Sequence, residues 1–280
     1  MAVRRTSLPA TAETVAEYVS YLCDQSKAPA TIDQAIAVIR SAHREAGLNH
    51  QPDTKTARVI LRAYRRERAE SGQRQHQAAP AVVDTIRALV SASDSTRTAG
   101  LRDRVLVVLG FALMGRHSEL VALQIRDVRE TSDGLLVLVR ASKTDQEGHG
   151  EEIAIPYGSH ADTCPVRLVR AWIARLAENG ITDGPLLRSV NRHGGIGRGL
   201  TGEGANKAIR AAAVRAALPN ANEISAHSLR AGGATAAYHA GAPIATITRH
   251  GRWAEGSPVV LRYIRAVDKW KDNPMAGVGL

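Results

Sequence analysis

Aromatic residues are scarce in this chain of 280 residues: they make up 4% of it, and phenylalanine occurs once. Cysteine is nearly absent. Cys23 and Cys164 exclude a disulfide framework and suit a reducing compartment. No stretch approaches the roughly 20 apolar residues of a membrane span. The opening "MAVRRTSLPATAE" lacks the apolar run of a signal peptide. The expectation is a cytoplasmic protein with no membrane partner. Acids are also short, with 27 Asp and Glu against 37 Lys and Arg, a formal net charge of +10. Several chemical signatures are missing. No CxxC, HExxH or spaced carboxylate cluster is present for a metal, and no GxSxG elbow for a serine nucleophile. "GGIGRG" (194–199) lacks the strand, GK[ST] and helix context of a nucleotide cradle, and reads as a flexible loop.

What is present is arginine and an apolar scaffold. Lysine is confined to Lys27, Lys55, Lys143, Lys207, Lys269 and Lys271, so arginine carries the positive excess. A guanidinium makes planar, bidentate phosphate contacts, and the excess points to a polyanion, most simply nucleic acid. A GC-rich genome would produce the same abundance of Ala, Arg and Gly. With 44% hydrophobic residues the chain has enough apolar side chain for a real core and one or two domains.

Residues 9–72 read as a small helical domain. "TAETVAEYVSYLCDQ" places Val15, Val19 and Leu22 on one helical face. The next helix is expected to start at an N-cap, Thr31, and stop at Gly47, carrying Ile32, Ala35, Ile36, Ile39 and Ala42 inward. A third spans 54–72, with an expected apolar stripe of Val59, Ile60, Ala63 and Tyr64. Arg58, Arg62, Arg65, Arg66 and Arg68 crowd the rest of it. "QRQHQAAP" (73–80) reads as a linker. The remainder, 81–280, reads as a mostly helical domain with a small sheet. "LRDRVLVVLGFALMG" (101–115) is a buried central helix, and "GLLVLVR" and "EEIAIP" form a β-hairpin around "ASKTDQEGHG". Two further helices end near Gly180 and span about 202–217.

The second domain gathers phosphate-directed groups. Arg116 follows the buried helix, and Lys143 sits at the hairpin tip. His227 and Arg230 share a helical face one turn apart in "HSLR". Trp253 closes the "RHGRW" turn, and Tyr263 follows ten residues later on the next helix. A phosphodiester under attack gains charge on its non-bridging oxygens, which arginines and N–H donors can absorb without a metal. Nearby cations are expected to lower the tyrosine pKa from its usual value of about 10. A lysine can protonate the departing alkoxide. This spacing admits a tyrosine attacking a DNA phosphate.

Four ordered stretches, "ALMGRHSELVALQIRDV", "RASKTD", "HSLRAGGAT" and "RHGRWAEGSPVVLRYIR", resemble the motif boxes of the tyrosine recombinase (phage integrase) family. The tryptophan in the last box, the "YIR" after the spacer and the N-terminal helices resemble its Cre-like subfamily. The resemblance runs from about residue 9 to residue 266. It implies a mainly α fold with a small β-sheet in two domains. These would be a SAM-like helical core-binding domain over 1–72 and a catalytic domain of the DNA breaking–rejoining fold over 81–280. Together they would form a C-shaped clamp on DNA.

The resemblance also implies residue roles. Tyr263 would attack the scissile phosphate and form a 3′-phosphotyrosine. Arg116 and Arg230 would clamp the non-bridging oxygens, His227 would assist at the tyrosine, and Trp253 would donate its indole N–H or pack the site. Lys143 would protonate the leaving 5′-oxygen, and Glu119 would buttress the arginines. His250 is the rival for the position of Trp253, and Tyr238 for that of the nucleophile. No metal, ATP or other cofactor is implied. The expected partner is double-stranded DNA with an inverted-repeat site. A monomer would form a homotetramer on two such sites. Arg40, Arg44, Arg58, Arg62, Arg65 and Arg66 would contact the DNA. The family's additional first helix is not expected in this chain, and Trp270, Met275 and Leu280 of the tail are expected to dock on a neighbour or pack in cis. The alternatives are a DNA-binding regulator that keeps the fold without cleavage, and a topoisomerase of the same chemistry.

Overall fold

The structure, a computed structural model, describes residues 8–73, 80–140, 150–267, 275 and 278, the side chains of 265–267 excepted. Two compact units divide the chain, Met1–Gln77 and Ala78–Leu280.

The first unit is a bundle of three helices, α1 (Ala12–Asp24), α2 (Pro29–Glu45) and α3 (Lys55–Glu70). Thr11 caps α1 by accepting the Thr14 N–H, as its hydroxyl equips it to do. Val15, Val19 and Leu22 are buried against Ile32, Ile36, Ala57 and Leu61.

Two expectations need correction here. Helix α2 begins at Pro29, with Ala28 at the N-cap, so Thr31 lies inside it. Proline fits the first helical position because the N–H it lacks there would have no partner anyway. The apolar stripe of α3 is also rotated. Ala57 and Leu61 are buried, with Ile60 and Tyr64 packed beside them, while Val59 is 61% exposed and Ala63 is exposed. Positions 57, 60, 61 and 64 follow the i, i+3, i+4, i+7 rule, which Val59 and Ala63 break. A buried residue escapes the apolar pattern altogether: His43 donates from Nδ1 to the Ile39 carbonyl (2.7 Å) and accepts the Ala10 N–H (3.0 Å).

The second unit is built on α5 (Thr98–Ala112). Hydrophobic residues cover it on all sides, as a helix in the middle of a core requires. Around it pack α4 (Val83–Ser91), α7 (Pro165–Glu178), α8 (Gly202–Arg215) and α9 (Ala226–His239). Its polar residues are paired: Arg102 binds Asp103 (2.8 Å), which also meets Arg215 (3.2 Å). The expected hairpin is present as β2 (Gly134–Val139) and β3 (Glu151–Pro156), pairing Gly134 with Pro156 through Val139 with Glu151. A short strand absent from the sequence reading, β1 (Val128–Glu130), adds to the β2 edge. The loop carrying Lys143 lies outside the described residues.

"GGIGRG" is not a flexible loop. Residues Ile196–Gly199 form β5, antiparallel to β4 (Arg188–Val190). The Asn191 side chain holds the turn by accepting the N–H groups of His193 and Gly195. Behind this hairpin the fully buried Trp172 of α7 donates its indole N–H to the Leu186 carbonyl (2.8 Å). Short helices α6 (His117–Ala122) and α10 (Ile244–His250), and then α11 (Pro258–Val267), complete the unit.

Candidate active site

The site forms where α5 ends. Its C-terminus stops at Leu113, and Met114 turns the chain through a left-handed conformation (φ +48°) into Gly115 and α6. Arg116 stands at the N-cap of α6. Three residues on, Glu119 reaches back: its carboxylate accepts the Arg116 backbone N–H (3.0 Å) and the guanidinium Nη1 (2.5 Å).

Helix α9 supplies the second pair. The glycines of "RAGGAT" are what let it approach. A Cβ on Gly232 would stand 2.0 Å from the Ala81 carbonyl oxygen, and one on Gly233 would stand 2.3 Å from that of Phe111. No side chain fits in either gap, so α9 lies directly on the end of α5 at Gly233 and on the segment before α4 at Gly232. Arg230 is thereby buried and donates from Nη1 to the Met114 carbonyl. Its Nη2 is also buried and, among the described residues, has no acceptor. His227, one turn earlier, stays open to solvent on its outer side.

The last elements close over these groups. The Trp253 ring lies under the Arg230 guanidinium, 3.8 Å from Cζ to the ring centroid, a cation–π stack. Tyr263, on α11, is 4% exposed. Its hydroxyl lies 2.8 Å from His227 Nε2, and its ring meets Trp253 edge-on at 6.2 Å between centroids. The sequence-predicted Arg116, Glu119, His227, Arg230, Trp253 and Tyr263 are thus one cluster within one unit, in which Glu119 bonds Arg116 and Arg230 stacks on Trp253. The rivals are elsewhere engaged. His250 donates from Nε2 to the Ala112 carbonyl (2.8 Å). Tyr238 lies on α9, two turns beyond Arg230, and packs edge-on against His239.

Electrostatics corrects one expectation. The cationic neighbours of Tyr263 were expected to make it ionise more easily. Burial outweighs the charges of Arg230, Arg262 and Arg116, and its pKa is raised. The phenol is therefore protonated at rest. Partial burial, then the charges of Arg230 and Arg116, hold His227 below its usual 6.5. The ring is neutral at pH 7 and its bare nitrogen can accept the phenol proton. Desolvation and the charge of Arg116 push Arg230 down to about 9, still a cation at neutral pH. Burial alone would raise Glu119. The charge of Arg252 and the hydrogen bonds from Arg116 and Arg252 overcome that and hold it ionised, below the usual carboxylate range.

Arg252 is the functional-site residue that sequence reading missed. It is buried and donates to Glu119 Oε2 (2.9 Å). The only signal for it was its place in "RHGRW", directly before Trp253. Among the described residues no group of three His, Cys, Asp or Glu could hold a metal ion.

In the first unit the six arginines expected at DNA lie on α2 and α3. Arg44, Arg58, Arg62, Arg65 and Arg66 are exposed and Arg40 is half-buried. Arg65 pairs with Asp33, and Arg58 bonds the Thr54 hydroxyl (3.3 Å).

Residues 82–269 match the model of the phage integrase family. The chain is 33% identical over 270 residues to an integrase/recombinase XerD homolog of Selenomonas ruminantium, covering 96% of this chain and 78% of that one. It is 26% identical over 277 residues to the recombinase Cre of Escherichia phage P1, covering 93% and 77%. A crystal structure of a lambda integrase dimer bound to a COC′ core site superposes with a TM-score of 0.56 at 16% identity, over 94% of this chain and 82% of that one. The chain belongs to the phage integrase family, the tyrosine site-specific recombinases.

Proposed function

We propose that the chain cuts and rejoins duplex DNA at a specific site through a 3′-phosphotyrosine. The observation that carries this reading is the Tyr263 hydroxyl 2.8 Å from a neutral His227 nitrogen, beside a buried Arg230 with an unused N–H donor. A scissile phosphate bound by Arg230 and Arg116 would sit where both guanidinium groups already act on Tyr263 and His227.

The phenol oxygen attacks phosphorus as His227 takes its proton, and the bond from phosphorus to the 5′-oxygen breaks. Both arginines stabilise the charge that develops on the non-bridging oxygens, and this electrostatic stabilisation does most to lower the barrier in such a reaction. Lys143, which lies outside the described residues, supplies the proton to the leaving 5′-oxygen. The 5′-hydroxyl of a partner strand then attacks the phosphotyrosine, returns the proton path in reverse and frees Tyr263. The energy of the phosphodiester bond is conserved in the ester, so the cycle takes no ATP, and the arginines supply the charge stabilisation at the phosphate.

Glu119 holds Arg116. The Trp253 ring supports Arg230 and packs the edge of Tyr263. Double-stranded DNA with an inverted-repeat site is the substrate, and each unit contributes contacts to it. Helices α2 and α3 contact the major groove through Arg40, Arg44, Arg58, Arg62, Arg65 and Arg66. Four protomers act on two sites, in the cytoplasm.

The test is a nicked suicide substrate carrying the cognate site, recovered from protein-bound genomic fragments. The wild-type chain is expected to trap a covalent adduct, and Tyr263→Phe none while keeping its DNA affinity. Tight binding of that site without a wild-type adduct refutes cleavage and leaves the DNA-binding regulator.

A further inference from the structure

We propose that Arg252 is a positioning residue that locks the Glu119–Arg116 pair to the turn carrying Trp253. This assignment rests on the recombinase reading of the site. Arg252 occupies a left-handed backbone conformation (φ +54°), which side chains other than glycine adopt at a cost. A glycine is available next door and does not take that place. The Trp253 ring covers Gly251 so closely that a Cβ there would fall 1.7 Å from Cζ3. The turn thus keeps its glycine beneath the indole and puts an arginine at the strained position.

The arginine's bonds account for that strain. Its side chain is 2% exposed. Nη1 donates to the His250 carbonyl (2.9 Å). Nη2 donates to Glu119 Oε2 (2.9 Å) and to the Leu113 carbonyl (3.2 Å). Its own carbonyl accepts Arg116 Nη2 at 3.5 Å. One residue therefore joins the end of α5, the start of α6 and the end of α10. Glu119 is held from both sides, with one carboxylate oxygen on each guanidinium. Without the Arg252 side chain, Glu119 keeps Arg116 alone, and of these bonds only the long one from Arg116 Nη2 to the backbone carbonyl of residue 252 still ties that pair to the segment that places Trp253. A rigid fork serves these three acceptors from two nitrogens fixed in one plane, whereas an ammonium holds its three donors on a single nitrogen.

Arg252→Gly relieves the backbone and removes the guanidinium, and Arg252→Lys keeps the charge without the fork. Both are compared with wild type in single-turnover adduct formation on the nicked cognate site, per folded molecule. DNA affinity and the pH profile are measured alongside. Arg252→Gly is expected to form adduct on the order of 10²-fold more slowly, the scale of an ångström's misplacement, with unchanged DNA affinity. Its acid limb should move to higher pH, because Glu119 loses the cation that keeps it ionised. A purely architectural role would lower the folded fraction and leave that limb where it is. Arg252→Lys is expected in between.

A wild-type rate and acid limb in folded Arg252→Gly overturn the assignment. If that variant does not fold, Arg252→Lys decides, and a wild-type rate there overturns it. Absence of an adduct with the wild-type chain is a different failure, that of the recombinase reading itself.

Discussion

The arginines of the two units live under opposite physical regimes. On α3, Arg58, Arg62, Arg65 and Arg66 stand in water. Each is screened by salt, and even the pair of Arg65 with Asp33 is open to water. At the end of α5, Arg230 and Arg252 are buried and Arg116 is half-buried, and all three are fixed by carbonyls, a carboxylate or an indole. Desolvation makes each contact strong and each missing contact costly. An exposed cation supplies attraction at long range. A buried one supplies geometry, and only if every neighbour is in place.

The sharpest way to break this contrast is to remove the one acid among the buried cations. Glu119→Gln leaves Arg252 and Arg116 without their counter-charge and is expected to cost about 3–5 kcal/mol of stability, the range for a broken buried pair. Thermal or urea unfolding reads this. The sign with pH follows from the lowered carboxyl pKa. The wild-type advantage is complete above the ordinary carboxylate pKa and disappears as pH falls through the depressed folded value. An advantage that grew on acidification would contradict the pairing.

Arg230→Lys keeps charge but loses the stack on Trp253 and the bond to Met114. Adduct formation is expected to fall on the order of 10²–10³-fold, as when a donor to a developing oxyanion is removed. A loss under threefold would mean that charge alone suffices there. In the first unit, Leu61→Ala should cost about 2–5 kcal/mol as a core truncation. Val59→Ala should change stability by no more than about 0.5 kcal/mol as an exposed one. Equal losses would return α3 to the stripe expected from sequence. The smallest effect belongs to Arg62→Ala. Stability should stay within about 0.5 kcal/mol, while the salt slope of DNA binding becomes shallower by about 0.9 if one phosphate contact is lost. An unchanged slope would remove Arg62 from the interface.

Much of the site is legible in the sequence because its chemistry is local to short boxes. His227 and Arg230 lie one helical turn apart, and Arg116 and Glu119 share a capping interaction three residues wide. What escapes is what depends on distant segments. Arg252 looks like one more arginine until Glu119, 133 residues away in sequence, is seen beside it. "GGIGRG" reads as flexible because its glycines hide strand pairing that only β4 reveals. The stripe on α3 is misread because Val59 is apolar, and hydrophobicity alone does not say which side faces the bundle. Thr31 is a good capping residue bypassed by a better start, a proline in the first turn.

By itself the sequence determined which groups are available and on which elements they lie: a tyrosine, a histidine, clustered arginines, and the two adjacent glycines of "RAGGAT". Covalent spacing and helical period set those. Only the tertiary structure decided their state. It put Tyr263 within a hydrogen bond of His227, kept the phenol protonated by burying it and turned Arg252 inward onto Glu119. Desolvation and long-range contacts belong to the packed chain as a whole, and no stretch of residues carries them alone.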